Sequence, residues 1–99
     1  MTEDELLIKV TAAAGERGVL WHHCTDSRKC QGHRGIPDLV LLGRKLLLAE
    51  LKGEDGDTSA DQDEWLWRLH ESGMPYAVWS PSHWRSGVIQ AALDELRMQ

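Results

Sequence analysis

Phenylalanine is absent from this 99-residue chain and tyrosine occurs once, so five tryptophans supply nearly all of its large rings. No apolar run approaches the roughly 20 residues that a membrane-spanning helix needs, which excludes such a span. The opening Met1-Thr2-Glu3-Asp4-Glu5 lacks the positive charge of a secretory leader, so a cytoplasmic location is expected. The two cysteines, Cys24 and Cys30, are too few for a disulfide framework, and in a reducing compartment they read as free thiols. Internal repeats and low-complexity tracts are lacking too. Positive charge is scarce: 11 Lys and Arg against 16 Asp and Glu leave a net charge of −5.

That deficit argues against a nucleic-acid partner only as a sum, because distribution matters more. Six acidic residues lie between Glu54 and Glu64, whereas Arg28, Lys29, His33 and Arg34 cluster just before Pro37-Asp38. The length fits a single domain over residues 1–99, and the 41% of hydrophobic residues suffices for its one modest core.

Leu6, Leu7, Val10 and Ala13-Ala14 recur at helical spacing and predict an amphipathic helix over about residues 4–17, capped by Thr2 or Asp4 and stopped at Gly18. Val19 to His23 predict a first strand, and residues 24–36 a long loop of the length at which loops tend to carry function. Two apolar runs at 38–42 and 46–52 flank Gly43-Arg44-Lys45 and predict a hairpin. Ser59 and Gln62 have the spacing of a capping box. The helix after them bears Trp65, Leu66 and Leu69 on one face and ends near Gly73. Tyr76–Trp79 predict a short strand broken by Ser80-Pro81. A last helix from about Ser86 to Arg97 turns Val88, Ile89, Ala92, Leu93 and Leu96 inward. The order α-β-β-β-α-β-α predicts an α/β domain, a mixed sheet with helices packed against it.

One pair of residues breaks the apolar pattern. If the hairpin loop holds three residues, Leu42 faces Leu46, Val40 faces Leu48, and Asp38 faces Glu50. Opposed carboxylates repel, and burying them unpaired costs more still. A cation between them removes both problems, and a divalent metal ion is the obvious one. Lys52 lies two residues beyond Glu50 and therefore on the same face. An ion triad kept for structure alone would seldom repay its desolvation.

Gly35-Ile36-Pro37-Asp38-Leu39-Val40, Glu50-Leu51-Lys52, Ser59-Ala60-Asp61-Gln62 and Val78-Trp79-Ser80-Pro81 together resemble the VRR-NUC (virus-type replication-repair nuclease) domains of the PD-(D/E)xK nuclease superfamily, particularly their small stand-alone phage members. The resemblance runs from the first helix to Pro81. It implies a restriction-endonuclease-like core, Mg²⁺- or Mn²⁺-dependent cleavage of DNA, and activity on branched or structured DNA such as flaps and Holliday junctions. It also implies a homodimer and, for a phage protein, the host cytoplasm. Asp38 and Glu50 would hold the metal together with the backbone carbonyl of Leu51. Lys52 would orient or deprotonate the attacking water.

Gln62 matches the family glutamine that supports the site or contacts substrate, while completing the helix cap is the plainer role. Glu3 matches the family's first-helix glutamate and would reach the metal; Glu5 is its rival, although acids at a helix start usually serve the dipole. Arg28, Lys29, His33 and Arg34 would contact DNA phosphates, which positions DNA without reading its sequence. Zinc binding by the His22–His33 region lacks the paired C-x2-C spacing of structural sites. Trp65, Trp67 and Trp79 read as core or dimer contacts rather than stacking platforms, and Trp84 as the exposed indole. A non-catalytic DNA-junction-binding or assembly module on the same fold is the alternative function.

Overall fold

A computed structural model describes residues 1–24 and 30–99. Its elements are α1 (Glu3–Glu16), β1 (Leu20–His23), β2 (Leu39–Leu42), β3 (Leu46–Leu51), α2 (Ala60–Ser72), β4 (Tyr76–Trp79), α3 (Pro81–Ser86) and α4 (Val88–Leu96). The strands form one mixed sheet in the order β1-β2-β3-β4. β1 and β3 flank β2 antiparallel, and β4 joins β3 in parallel after the α2 crossover.

Side chains alternate across a strand, and here the alternation divides structural work from chemistry. Leu39 and Leu41 of β2 point to one face with Leu47, Ala49 and Leu51 of β3, and all five are buried. Leu6, Val10, Ala13 and Ala14 of α1 and Ile89, Leu93 and Leu96 of α4 complete that core. The opposite face carries Val40, Leu48, Glu50 and Lys52, with α2 against it. No residue of α2 is fully buried; Trp65, Leu66 and Leu69 are half-covered, as their spacing predicts.

Both predicted caps form. Thr2 and Glu5 close a capping box on α1, and Ser59 and Gln62 close one on α2. The hairpin tip is fixed by backbone rather than by side chains. Arg44 donates its N–H to the carbonyl of Leu96 at 3.0 Å, and a Cβ on Gly43 would lie 2.0 Å from that oxygen. Glycine is therefore required where the hairpin meets the end of α4.

Two expectations need correction. The segment after β4 is not merely a break: Pro81 starts the short helix α3, its missing N–H costing nothing at a first helical position. Gly87, at φ +86°, then separates α3 from α4. Val88 is exposed rather than inward-facing, because the buried stripe of α4 runs through Ile89, Leu93 and Leu96.

Candidate active site

The β2–β3 register pairs Leu42 with Leu46, Val40 with Leu48 and Leu39 with Ala49. Asp38 precedes the first of these residues and Glu50 follows the last, so the two carboxylates meet at the open end of the hairpin as the sequence predicts. Asp38 is held from two sides. The N–H of Leu51 donates to its Oδ1 at 3.3 Å, and His23 Nε2 lies 3.2 Å from its Oδ2. Its backbone is fixed as well, since Cys24 donates an N–H to the Asp38 carbonyl at 3.1 Å.

Glu50 is only 4% exposed and is the one charged residue buried among those described. Burial first, and the charge of Asp38 second, push its carboxyl up to about 7, against the opposing pull of Lys52. Lys52 Nζ lies 3.9 Å from Glu50 Oε2 and donates to Gln62 Oε1 at 2.7 Å. The same Gln62 oxygen accepts the N–H of Ser59 at 2.9 Å. The two readings of Gln62 are therefore not alternatives, because one oxygen caps α2 and holds the lysine.

The acids of α1 separate in the same manner. Glu5 accepts the N–H of Thr2 at 3.2 Å, and its carboxyl is lowered by its bonds with Thr2. Glu3 instead lines the cleft, where burial and then the charge of Asp38 raise its carboxyl. Glu3, His23, Arg34, Asp38, Glu50 and Gln62 together line a cleft of about 430 Å³.

Gly35 secures the approach to Asp38. It sits at φ +97°, and a Cβ there would lie 2.3 Å from the Asp61 carbonyl. Only glycine lets this loop pass so close to the start of α2. Arg34 borders the cleft, and its carbonyl accepts the Trp65 Nε1–H at 2.8 Å. His33 lies outside the cleft, on an adjoining groove. Arg28 and Lys29 fall outside the described residues.

Several sequence readings change here. Cys24 and Cys30 are joined in a disulfide rather than free. Once oxidised, neither sulfur is available to zinc. Trp84 is half-buried against the core, with Lys9 Nζ 6.0 Å from its ring centre, and Trp67 is the most exposed indole. Trp79 is core as expected, whereas Trp65 borders the groove. The sequence singled out His23 only within the candidate zinc region; its contact with Asp38 depends on the pairing of β1 with β2.

Among the described residues, no three His, Cys, Asp or Glu side chains are grouped closely enough to hold a metal by themselves. Two hard carboxylates beside a strand backbone still suit Mg²⁺, which keeps several waters and takes one or two protein carboxylates. The donor set fits such an ion.

No protein-family model and no curated protein matches the chain. Among solved structures it is similar to one described as a "VRR_NUC domain protein", with a TM-score of 0.57 and 21% sequence identity. The match covers 81% of this chain and 78% of the other. At that identity the likeness speaks for architecture: the chain has a VRR-NUC-like fold.

Proposed function

We propose that this chain is a metal-dependent endonuclease that hydrolyses DNA phosphodiester bonds, acting on flaps, Holliday junctions or related branched DNA in replication, recombination or repair. The observation that carries this reading is the Asp38–Glu50 pair, with Glu50 4% exposed and its carboxyl pushed up to about 7. A folded chain that keeps a buried carboxyl beside a second one favours uptake of a positive charge there. A proton satisfies the pair only in part, whereas a divalent cation satisfies both oxygen donors.

Mg²⁺ or Mn²⁺ would be held by Asp38, Glu50 and the Leu51 carbonyl, with Glu3 as a further candidate at the cleft wall. When bound, it would neutralise charge on the scissile phosphate and favour the attacking and leaving oxygens. The chain's own residues do the positioning. His23 and the Leu51 N–H fix the two oxygens of Asp38. Gln62 holds the Lys52 amine within 2.7 Å, beside Glu50, where it would orient or deprotonate the attacking water and offset phosphate charge. Arg34 at the cleft border would take a backbone phosphate, and Arg28, Lys29 and His33 would extend that contact along the DNA.

A homodimer belongs to the same reading. Leu20 and Leu42 pair across β1 and β2 yet are exposed, and among the described residues β1 leaves a strand edge unpaired. Such an edge and apolar patch favour a second copy.

The test is cleavage of a four-way junction, a flap, a duplex and a single strand with Mg²⁺ or Mn²⁺, comparing wild type with Lys52→Ala and Asp38→Asn. Each variant should lose about 100-fold or more in rate. Full activity in both variants would sink the proposed site. Binding of junction DNA without cleavage under either metal would favour the non-catalytic module.

A further inference from the structure

Beside the cleft runs a second cavity of about 600 Å³, bordered by His33, Arg34, Asp61, Trp65, Arg68 and Leu69. Its size is within the range that holds one small organic ligand or nucleotide. Arg34 and Asp61 line both cavities, so the groove adjoins the cleft. Trp65 does not complete the core. Its indole N–H is tied to the Arg34 carbonyl at 2.8 Å, which fixes the ring against the loop that leads to Asp38. Leu69 adds apolar surface one turn further along α2. Glu64, also on the wall, is paired with Arg68 at 2.8 Å, which leaves Arg34 and Asp61 as its other charged groups.

From this arrangement we infer that the groove binds one unpaired nucleotide of the substrate strand, its base stacked on Trp65 and its phosphate on Arg34. The inference rests on the nuclease reading and narrows it: a strand passing Arg34 reaches the groove, and a paired base would first have to leave its partner at a cost of about a few kcal/mol, which an unpaired one avoids. An indole platform suits any base, because every base has a π face. Arg34 then has two duties at one point of the chain, a phosphate contact through its side chain and an anchor for the stacking ring through its carbonyl. The groove thereby favours substrates with a free strand next to the cleavage position.

Fluorescence anisotropy of the full chain tests this, with Ca²⁺ as the added ion and two probes, a single strand of about 12 nucleotides and a blunt duplex of the same sequence. Trp65→Leu should weaken single-strand binding roughly 5- to 100-fold, as loss of one base stack does, and duplex binding far less. Trp65→Phe keeps a ring but loses the bond to Arg34, and should stay within about three-fold of wild type. Trp67→Leu, on the opposite side of α2, should bind like wild type. Unchanged single-strand binding by Trp65→Leu overturns the inference and leaves the nuclease reading intact. Equal losses on both probes, or a Phe variant as weak as the Leu variant, overturn it as well. A wild-type chain that binds neither probe nor junction DNA overturns both readings together.

Discussion

Replacing Glu50 with glutamine should stabilise the metal-free protein above neutral pH and change little below pH 5. The carboxyl moves from 4.5 to about 7 on folding, chiefly because it is buried and secondarily because Asp38 faces it. Below 4.5 the folded and unfolded states both keep the proton, and burial of the neutral acid is tolerated. Between 4.5 and 7 only the folded state keeps it. Above 7 the folded chain must carry a buried charge beside another, so the stability present at low pH is lost as pH rises. The full difference amounts to about 3 kcal/mol. Glutamine has the same shape and no charge to bury, so the variant escapes this loss.

Urea unfolding in EDTA at about pH 5 and about pH 8.5 measures the effect. Taking the difference between wild type and Glu50→Gln at each pH removes the titration of the exposed acids, which both proteins share. The variant should gain about 2–3 kcal/mol on wild type at the higher pH and match it at the lower. Adding Mn²⁺ at the higher pH should narrow the gap, because an ion that binds only the folded state stabilises it by mass action. Parallel curves for the two proteins at both pH values would refute the argument, since Glu50 would then carry no folding-linked proton. A glutamine variant weaker at both would mean that the carboxylate charge is a net structural asset.

Two further substitutions examine how the cleft is held. Gly35→Ala places a methyl group 2.3 Å from the Asp61 carbonyl at a φ of +97° and should cost about 2 kcal/mol or more in urea unfolding. A change within about 0.5 kcal/mol would mean that the loop and α2 separate freely. His23→Ala removes the partner of Asp38 Oδ2; outer-shell hydrogen bonds of this kind are worth about 10- to 100-fold in metal affinity. Isothermal titration with Mn²⁺ should show a loss in that range, partly recovered in His23→Gln, and an unchanged affinity would remove His23 from the site.

Much of the hairpin was legible because a strand leaves few choices. A three-residue loop fixes the register, and the register then decides that Asp38 opposes Glu50 and that Leu51 points away from them into the core. The α2 cap was legible for a similar reason, since Ser59 with Gln62 satisfies amide groups within one turn; at α1 the sequence left Thr2 and Asp4 open, and the structure seats Thr2 with Glu5. Their geometry also separates Glu3 from Glu5, which spacing alone left open. Residues joined by a long loop were harder. Cys24 and Cys30 are six apart, and no periodicity says whether two thiols at that spacing meet. His23 reaches Asp38 only because β1 pairs with β2 after that loop. Trp84 misled because Pro81 resembled a stop, when at a first helical position it starts α3 and turns the indole onto the core.

The division between the two halves of the site has a physical origin. The carboxylates sit on paired strands, where an error of one residue would turn every core leucine outward, so sequence pattern and chemistry constrain each other. The wall proposed to face DNA has no such coupling: Arg34 lies on a loop and Trp65 on a helix that buries no residue fully. Their meeting depends on Gly35, whose lack of a side chain lets the loop touch the Asp61 carbonyl. A single glycine thus brings the loop that carries the cation to the helix that carries the indole. Pattern along the chain marks the position of Gly35, and only the fold gives its consequence.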